Sequence, residues 1–397
     1  MNDNKISKNS IVAKFAVPIS FLILFFLAAN FTDCDLVTFW KRRSHLTDLV
    51  VDMIPPDFSY IQKILLPLFY TIQMSVTGTV LGTFFALVLS PFGAANLGFP
   101  AVIRRILRIV IQILRSFPAL ILALTATFLF GLGTFAGTFA ITLYTFAIMT
   151  KLTYEDASAA DVKAYQALRA MGVSKYVAYI HGILPEIIPG FLTNALYLLE
   201  TNVRHSSILG YVGAGGIGLL LNEKISWLEY DKVGTILLML FLTVCVIEYF
   251  SRYLTALIRK EHTIKKEQAR LLLLFLAALF LICTFTLSLP DFSRTSPQTL
   301  RNMFAGFLQP DWSFFFSAEK DGLGYLLLET VCIAFIGTVI GAIVSAPLAF
   351  LNTKRFVPAP VSFLFNLVIM IIRSVPFLVY GLIFIRVSGP GAFTGVL

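Results

Sequence analysis

The chain is a succession of long apolar runs separated by short polar ones. A helix needs about 20 mostly apolar residues to cross a bilayer core. Ile11–Ala29, interrupted only by Lys14, meets that need and is followed by no A-x-A-like cleavage site. It is therefore expected to be a retained first helix with its N-terminus in the cytoplasm. Further spans are predicted over Ile64–Leu89, Ile106–Phe130, Thr134–Met149, Ile183–Leu209, Val233–Ile258, Leu271–Leu289, Leu323–Phe350 and Pro360–Ile385. The pattern as a whole predicts an all-α, polytopic transmembrane helical bundle of about nine spans.

The polar interruptions carry the orientation. Residues 30–63, with the Pro55-Pro56 pair, are expected outside although Lys41, Arg42 and Arg43 mildly violate the charge rule. Residues 96–105 form a short inside loop ending in Arg104 and Arg105. Residues 151–182 are Ala-rich and charged, with Lys151, Glu155, Asp156, Asp161, Lys163, Arg169 and Lys175. Such a stretch cannot lie in hydrocarbon, and its Ala, Leu, Gln and Met favour one or two short cytoplasmic helices. Residues 210–232 are Gly-rich and then polar, expected outside or re-entrant. Residues 259–270 hold five Lys or Arg residues, the densest positive cluster, which places that loop in the cytoplasm.

Composition agrees with a membrane solvent. Of 397 residues, 57% are hydrophobic and 13% charged, against roughly 45–50% and 25% in soluble chains. The net charge of +9 falls between apolar runs, as the positive-inside rule requires, so nucleic acid is not an expected partner. The four cysteines and four histidines show no metal or disulfide spacing, and no metal or other cofactor is expected.

Two motifs recur. Gly78-Thr79-Val80-Leu81-Gly82 returns as Gly337-Thr338-Val339-Ile340-Gly341, at an offset of 259 residues. Arg115-Ser116-Phe117-Pro118 returns as Arg373-Ser374-Val375-Pro376, at an offset of 258. The shared register predicts a duplicated chain with both copies in the same orientation. Glycines four apart let another helix approach closely, so helix packing is the expected role of the first motif. In the second, Arg115 and Arg373 each sit beside a helix break. Two readings stand for them: an arginine lining a polar path, or one snorkelling to an interface. On the same offset Leu397 corresponds to Phe139, so the second copy is expected to stop before its own counterpart of the polar segment.

Residues 166–185, QALRAMGVSKYVAYIHGILP, resemble the EAA loop of ABC-importer permeases, with Gln166, Ala167, Gly172, Leu184 and Pro185 on the pattern. Gln166 stands where that family has Glu, and Leu168 where it has the second Ala. Downstream, Leu199-Glu200-Thr201-Asn202-Val203-Arg204 and Val212-Gly213-Ala214-Gly215-Gly216-Ile217-Gly218 look like the phosphonate ABC-importer permease. The resemblance implies a duplicated permease whose polar loop is a coupling helix seated on a separate, dimeric cytoplasmic ATPase subunit. It further implies an extracytoplasmic substrate-binding protein, a phosphorus oxyanion as cargo, and alternating access. A second permease chain is a further expected partner.

The remaining residues are weighed on their own chemistry. Glu200 and Arg204 are i,i+4 neighbours and can pair on one helix face. They stand either as a self-satisfied pair or, with Asn202, as part of a substrate path in which Arg204 attracts an oxyanion. Gly213–Gly218 matches G-x-G-x-x-G, but no strand precedes it, so a close-packed turn is expected rather than a nucleotide site. No G-x-x-x-x-G-K-[ST] occurs, so the chain is expected to carry no ATPase site and to be no enzyme. The expected organisation is residues 1–63 as first helix and outer segment and 64–258 as a permease core with its loop at 151–185. A basic linker at 259–270 and a partial second copy at 271–397 complete it. An ion-gradient transporter is the competing class; it would use Glu200, Glu248 or Glu329, and no pattern pairs Glu248 or Glu329 with a basic partner. A permease left inactive by its incomplete second copy is a further alternative.

Overall fold

The computed structural model describes residues 18–33, 36–259, 266–290, 311–317 and 322–397, with scattered single positions between 298 and 319. The helices are α1 (Pro18–Phe31), α2 (Leu36–Asp52), α3 (Ile61–Gly93), α4 (Ala101–Ser116), α5 (Ala119–Phe130) and α6 (Thr134–Ala159). They continue as α7 (Lys163–Ala170), α8 (Lys175–Gly182), α9 (Leu184–Leu209), α10 (Ile217–Ser226), α11 (Tyr230–Ile258) and α12 (Lys266–Phe285). The last five are α13 (Trp312–Phe316), α14 (Leu323–Asn352), α15 (Ala359–Ser374), α16 (Phe377–Ser388) and α17 (Ala392–Val396). No strand occurs among the described residues. Among the described residues, five helices are long and apolar enough to cross a membrane, or up to eight spans if each of three bent pairs counts as one. Helix α1 is apolar but shorter than these.

Contacts divide the chain into two compact units, residues 53–304 and residues 1–52 with 305–397. The larger unit is built on α3. At 33 residues it is about 50 Å long. One part of it is buried, including the polar Gln73, Ser75 and Thr79, while Leu65, Leu66, Phe84 and Phe85 are exposed, and α6, α9 and α12 pack against it. Two glycines set the α3–α6 distance. A Cβ on Gly78 would lie 2.7 Å from Ile141 Cγ2, and one on Gly82 would lie 2.7 Å from Thr145 Cβ. The first copy of the repeated glycine motif thus serves helix packing. Met74, Leu122, Ala123, Ile141 and Leu209 fill the core around that contact.

Several sequence boundaries move. The expected single span Ile106–Phe130 is broken, with α4 and α5 meeting at 94° across Phe117-Pro118. Pro118 has no N–H to extend α4, and the residue before a proline avoids helical backbone. Arg104 and Arg105, expected in a loop, lie in the first turn of α4. The span expected to end at Met149 runs on as α6 to Ala159. Thr153, Tyr154 and Ala157 are buried along its polar end, and a half-exposed Lys151–Glu155 ion pair at 3.4 Å adds roughly 0.2–0.5 kcal/mol. Residues 36–52, part of the expected outer segment, are helical. Helix α12, expected to open the second copy, packs on α3 in the larger unit, where Gln73 Nε2 donates to Cys283 O at 3.0 Å. Residues 260–265 of the expected linker lie outside the described residues.

The smaller unit repeats the first copy's backbone. Helices α4 and α15 are both 16 residues, α5 and α16 both 12, and α15 meets α16 at 85°. Gly131 (φ 82°) and Gly389 (φ 87°) end the two short helices in the left-handed region that glycine tolerates. The environments differ. Gly341 has nothing within 4 Å of a built Cβ, and Ile336 is the one buried side chain recorded for α14. Ile336 packs with Ala28 and Val396, and Phe21 meets Phe335 edge-on at 5.2 Å.

Candidate functional site: a two-helix segment and the polar core above it

Helices α7 and α8 form a hairpin at one end of the larger unit. Asp161 starts α7 by accepting from Lys163 N at 3.0 Å, and this backbone hydrogen bond holds its carboxyl below the usual aspartate value. The helix ends in a Schellman motif. Val173 N donates to Leu168 O at 3.2 Å, Gly172 N donates to Arg169 O at 3.0 Å, and Gly172 takes φ +86°. Ser174 then caps α8 by accepting from Val177 N at 3.4 Å. Gly172 is thus the hinge residue of the hairpin, and its requirement is conformational: a Cβ there would meet nothing within 4 Å.

The hairpin is fastened to three long helices. Tyr165 OH donates to Leu97 O at 2.6 Å, and burial pushes its phenol above the ordinary 10, keeping it a donor. Tyr165, Tyr179, Ile183 and Ile187 form one buried cluster with Leu97, just past the end of α3, and with Ala157 at the end of α6. Gly182 admits the close contact of α7 with α8, since a Cβ there would lie 2.8 Å from Tyr165 N. Leu184 and Pro185 open α9 directly after α8, where the missing N–H of a proline is harmless. Gln166, Ala167 and the tip residue Met171 point outward and are exposed. The five residues of the expected coupling pattern therefore sit on one hairpin and at its exit into α9.

Above it, the core is polar where α9 crosses α3 and α6. Asn202, fully buried, donates to Thr79 Oγ1 and Thr145 Oγ1, each at 2.8 Å. One turn further, Ser75 and Ser206 hydroxyls share a 2.5 Å hydrogen bond. The Gly-rich turn packs as backbone against backbone: Gly213, Gly215 and Gly216 have φ between 75° and 81°, and a Cβ on Gly218 would lie 1.8 Å from Ser207 O. Residues 78–260 match the family described as binding-protein-dependent transport system inner membrane component. The phosphite transport system permease protein PtxC of Stutzerimonas stutzeri is 31% identical over 217 residues, covering 55% of this chain and 79% of that one.

The chain belongs to this family of permeases. It is accordingly a multi-pass inner-membrane transport component rather than an enzyme, and works with a separate ATPase and a binding protein. A second relative, the putative phosphite transport system permease protein HtxC of the same organism, is 32% identical over 60% of this chain and 86% of that one. The phosphate-import permease protein PhnE of Mycolicibacterium smegmatis is 24% identical over 88% of this chain and 66% of that one. Among solved structures, the MetNI methionine ABC transporter matches with a TM-score of 0.46 at 20% identity, covering 51% of this chain and 99% of that one.

Within the larger unit of this permease, Glu200 and Asn202 face different neighbours. Glu200 bonds Arg204 one turn on, and Glu200 lines an open cleft toward α11, whereas Asn202 is turned into the α3–α6 contact. Arg115 lies exposed in the last turn of α4, and Arg373 occupies the equivalent last turn of α15 in the other unit. One expectation is corrected: Glu248 has a basic partner, Arg252, at the same i,i+4 spacing as Glu200 and Arg204. That spacing was visible in the sequence. A further cluster escaped it: Lys224, 5% exposed, is paired with Glu223 and Glu229 at 2.9 Å each and lies 4.2 Å from the Trp227 ring centroid.

Proposed function

We propose that this permease carries a phosphorus oxyanion, phosphite or phosphonate in class, inward by alternating access driven by a separate ATPase dimer. The observation that carries the reading is the hairpin of α7 and α8, an outward-facing element fastened to α3, α6 and α9. Such an element can be seated in a partner and can transmit a displacement to three spans at once. On this reading α7–α8 faces the cytoplasm, Gln166, Ala167 and Gly172 meet the ATPase, and Leu184-Pro185 pass motion into α9. The named phosphite and phosphate permeases among its relatives support the cargo class. A binding protein delivers the anion on the opposite side, and a second permease chain completes the channel. The N-terminus lies in the cytoplasm.

Within the path, Arg115 and Arg373 are the positive groups at symmetry-related helix breaks, while Glu200 and Arg204 neutralise one another. Glu200 and Glu248, which an ion-gradient transporter would use, are each bonded to an arginine four residues on. The test is uptake into vesicles carrying the permease with its ATPase and binding protein. Phosphite, methylphosphonate or phosphate should accumulate when ATP is supplied, with or without a proton uncoupler. Uptake that collapses with the uncoupler while ATP is maintained would favour the ion-coupled class instead.

A further inference from the structure

Between α9 and α11 the larger unit holds an open cleft of about 270 Å³ whose polar lining is Thr193, Tyr197, Glu200, Ser251, Arg252, Thr255 and Arg259. It lies where the middle of α9 meets the end of α11. Its charged lining residues are Glu200, Arg252 and Arg259. Arg204 neutralises Glu200, and Arg252 neutralises Glu248. Arg259 forms no ion pair among the described residues, so the cleft keeps one positive charge in excess. The Ser251 hydroxyl is buried and has no hydrogen-bond partner among the described residues. It stands next to Arg252 and one helical turn from Thr255. A buried hydroxyl without a partner costs stability unless something supplies the bond.

A tetrahedral phosphoryl oxyanion answers every feature of this lining. It accepts several hydrogen bonds at once, pairs with guanidinium groups in their own plane, and balances the extra charge. Tyr197 in the lining is 59% exposed, and tyrosines are common where helices meet a membrane interface. Basic pockets between membrane helices are suited to anionic headgroups.

We propose that the α9–α11 cleft binds a phosphoryl oxyanion through Arg259, Ser251, Thr255 and the outward face of Arg252. Its role is separate from the translocated cargo, and the site does not depend on the transport reading. The bound group is either an anionic phospholipid headgroup or a free phosphate ion.

The test uses the purified full chain in detergent, read by thermal unfolding and by native mass spectrometry. Phosphatidylglycerol, phosphatidylcholine and inorganic phosphate are each titrated. Phosphatidylglycerol or inorganic phosphate should raise Tm in a saturable way, and phosphatidylcholine should not. Arg259→Gln and Ser251→Ala should each weaken that binding tenfold or more. Ser251→Ala should leave the ligand-free Tm unchanged or higher, because it deletes a hydroxyl that had no partner. Arg105→Gln on α4, a basic residue away from the cleft, should bind as the parent does. A response to phosphatidylglycerol that phosphate cannot displace identifies a lipid site; displacement by millimolar phosphate identifies a soluble-anion site. The proposal is overturned if neither anion is preferred over phosphatidylcholine, or if both cleft variants bind as tightly as the parent.

Discussion

The hydroxyl of Tyr165 in the exposed hairpin donates to the carbonyl of Leu97, just beyond the end of α3, at 2.6 Å. Sixty-eight residues of chain separate the two. This bond ties a surface element to a membrane-spanning helix, so Tyr165→Phe should loosen coupling without removing the hairpin. The loss should be about 1 kcal/mol of stability. ATP hydrolysis by the assembled transporter should persist while uptake per ATP falls, measured together in the same vesicles.

Gly172 should tolerate only residues that accept left-handed backbone. An L-residue with a side chain pays roughly 1–2 kcal/mol there, and asparagine less than valine. Because a Cβ at Gly172 meets no atom within 4 Å, the ranking should follow backbone strain alone. Gly172→Asn should lose the least transport, Gly172→Ala more, and Gly172→Val the most. If Gly172→Ala and Gly172→Val proved equal to the parent in uptake and in ATPase co-purification, the hinge role would be wrong.

The repeated glycines should respond oppositely to alanine. Gly82→Ala drives a Cβ into Thr145, an overpacking that should cost roughly 1–3 kcal/mol and lower Tm. Gly341→Ala meets nothing, and alanine is the better helix former by about 0.5–1 kcal/mol. Its Tm should hold or rise.

The short helices at 163–182 and a local helix break at Arg-Ser-x-Pro were legible in the sequence, because proline and glycine act on the backbone locally, but the 94° split of the span read over Ile106–Phe130 was not. Nor was the end of α6. The expected span ends where the apolar residues stop, but the helix continues, with Thr153, Tyr154 and Ala157 buried, until Ala160 turns extended, at ψ 155°. Polarity marks where lipid ends, not where a helix does. The Asn202 contacts were beyond reach for another reason: Thr79 and Thr145 lie 123 and 57 residues away, and nothing local announces them. The Glu248–Arg252 pair was local and readable, at the spacing already noted for Glu200 and Arg204.

Acid should weaken the cluster around Lys224. Hydrogen bonds from Lys232, at 2.7 Å, and then Lys224 hold the Glu229 carboxyl below its ordinary 4.5. A carboxylate lowered in the folded state contributes stability that is complete above the unfolded value and is lost as pH falls through the folded one. Tm should therefore drop from pH 5 downward. Glu229→Gln should lower Tm at pH 7 and flatten that acid limb, as followed by thermal unfolding across pH 3–7.

The direct test of the account is the side of the membrane that Met171 faces. Met171 is the 70% exposed tip of the hairpin. In a chain with its four cysteines replaced, Met171→Cys should resist an impermeant thiol reagent applied to intact spheroplasts. It should label in inside-out vesicles, and added ATPase should shield it there. Labelling from the outer face of intact cells would contradict the topology and the drive mechanism together.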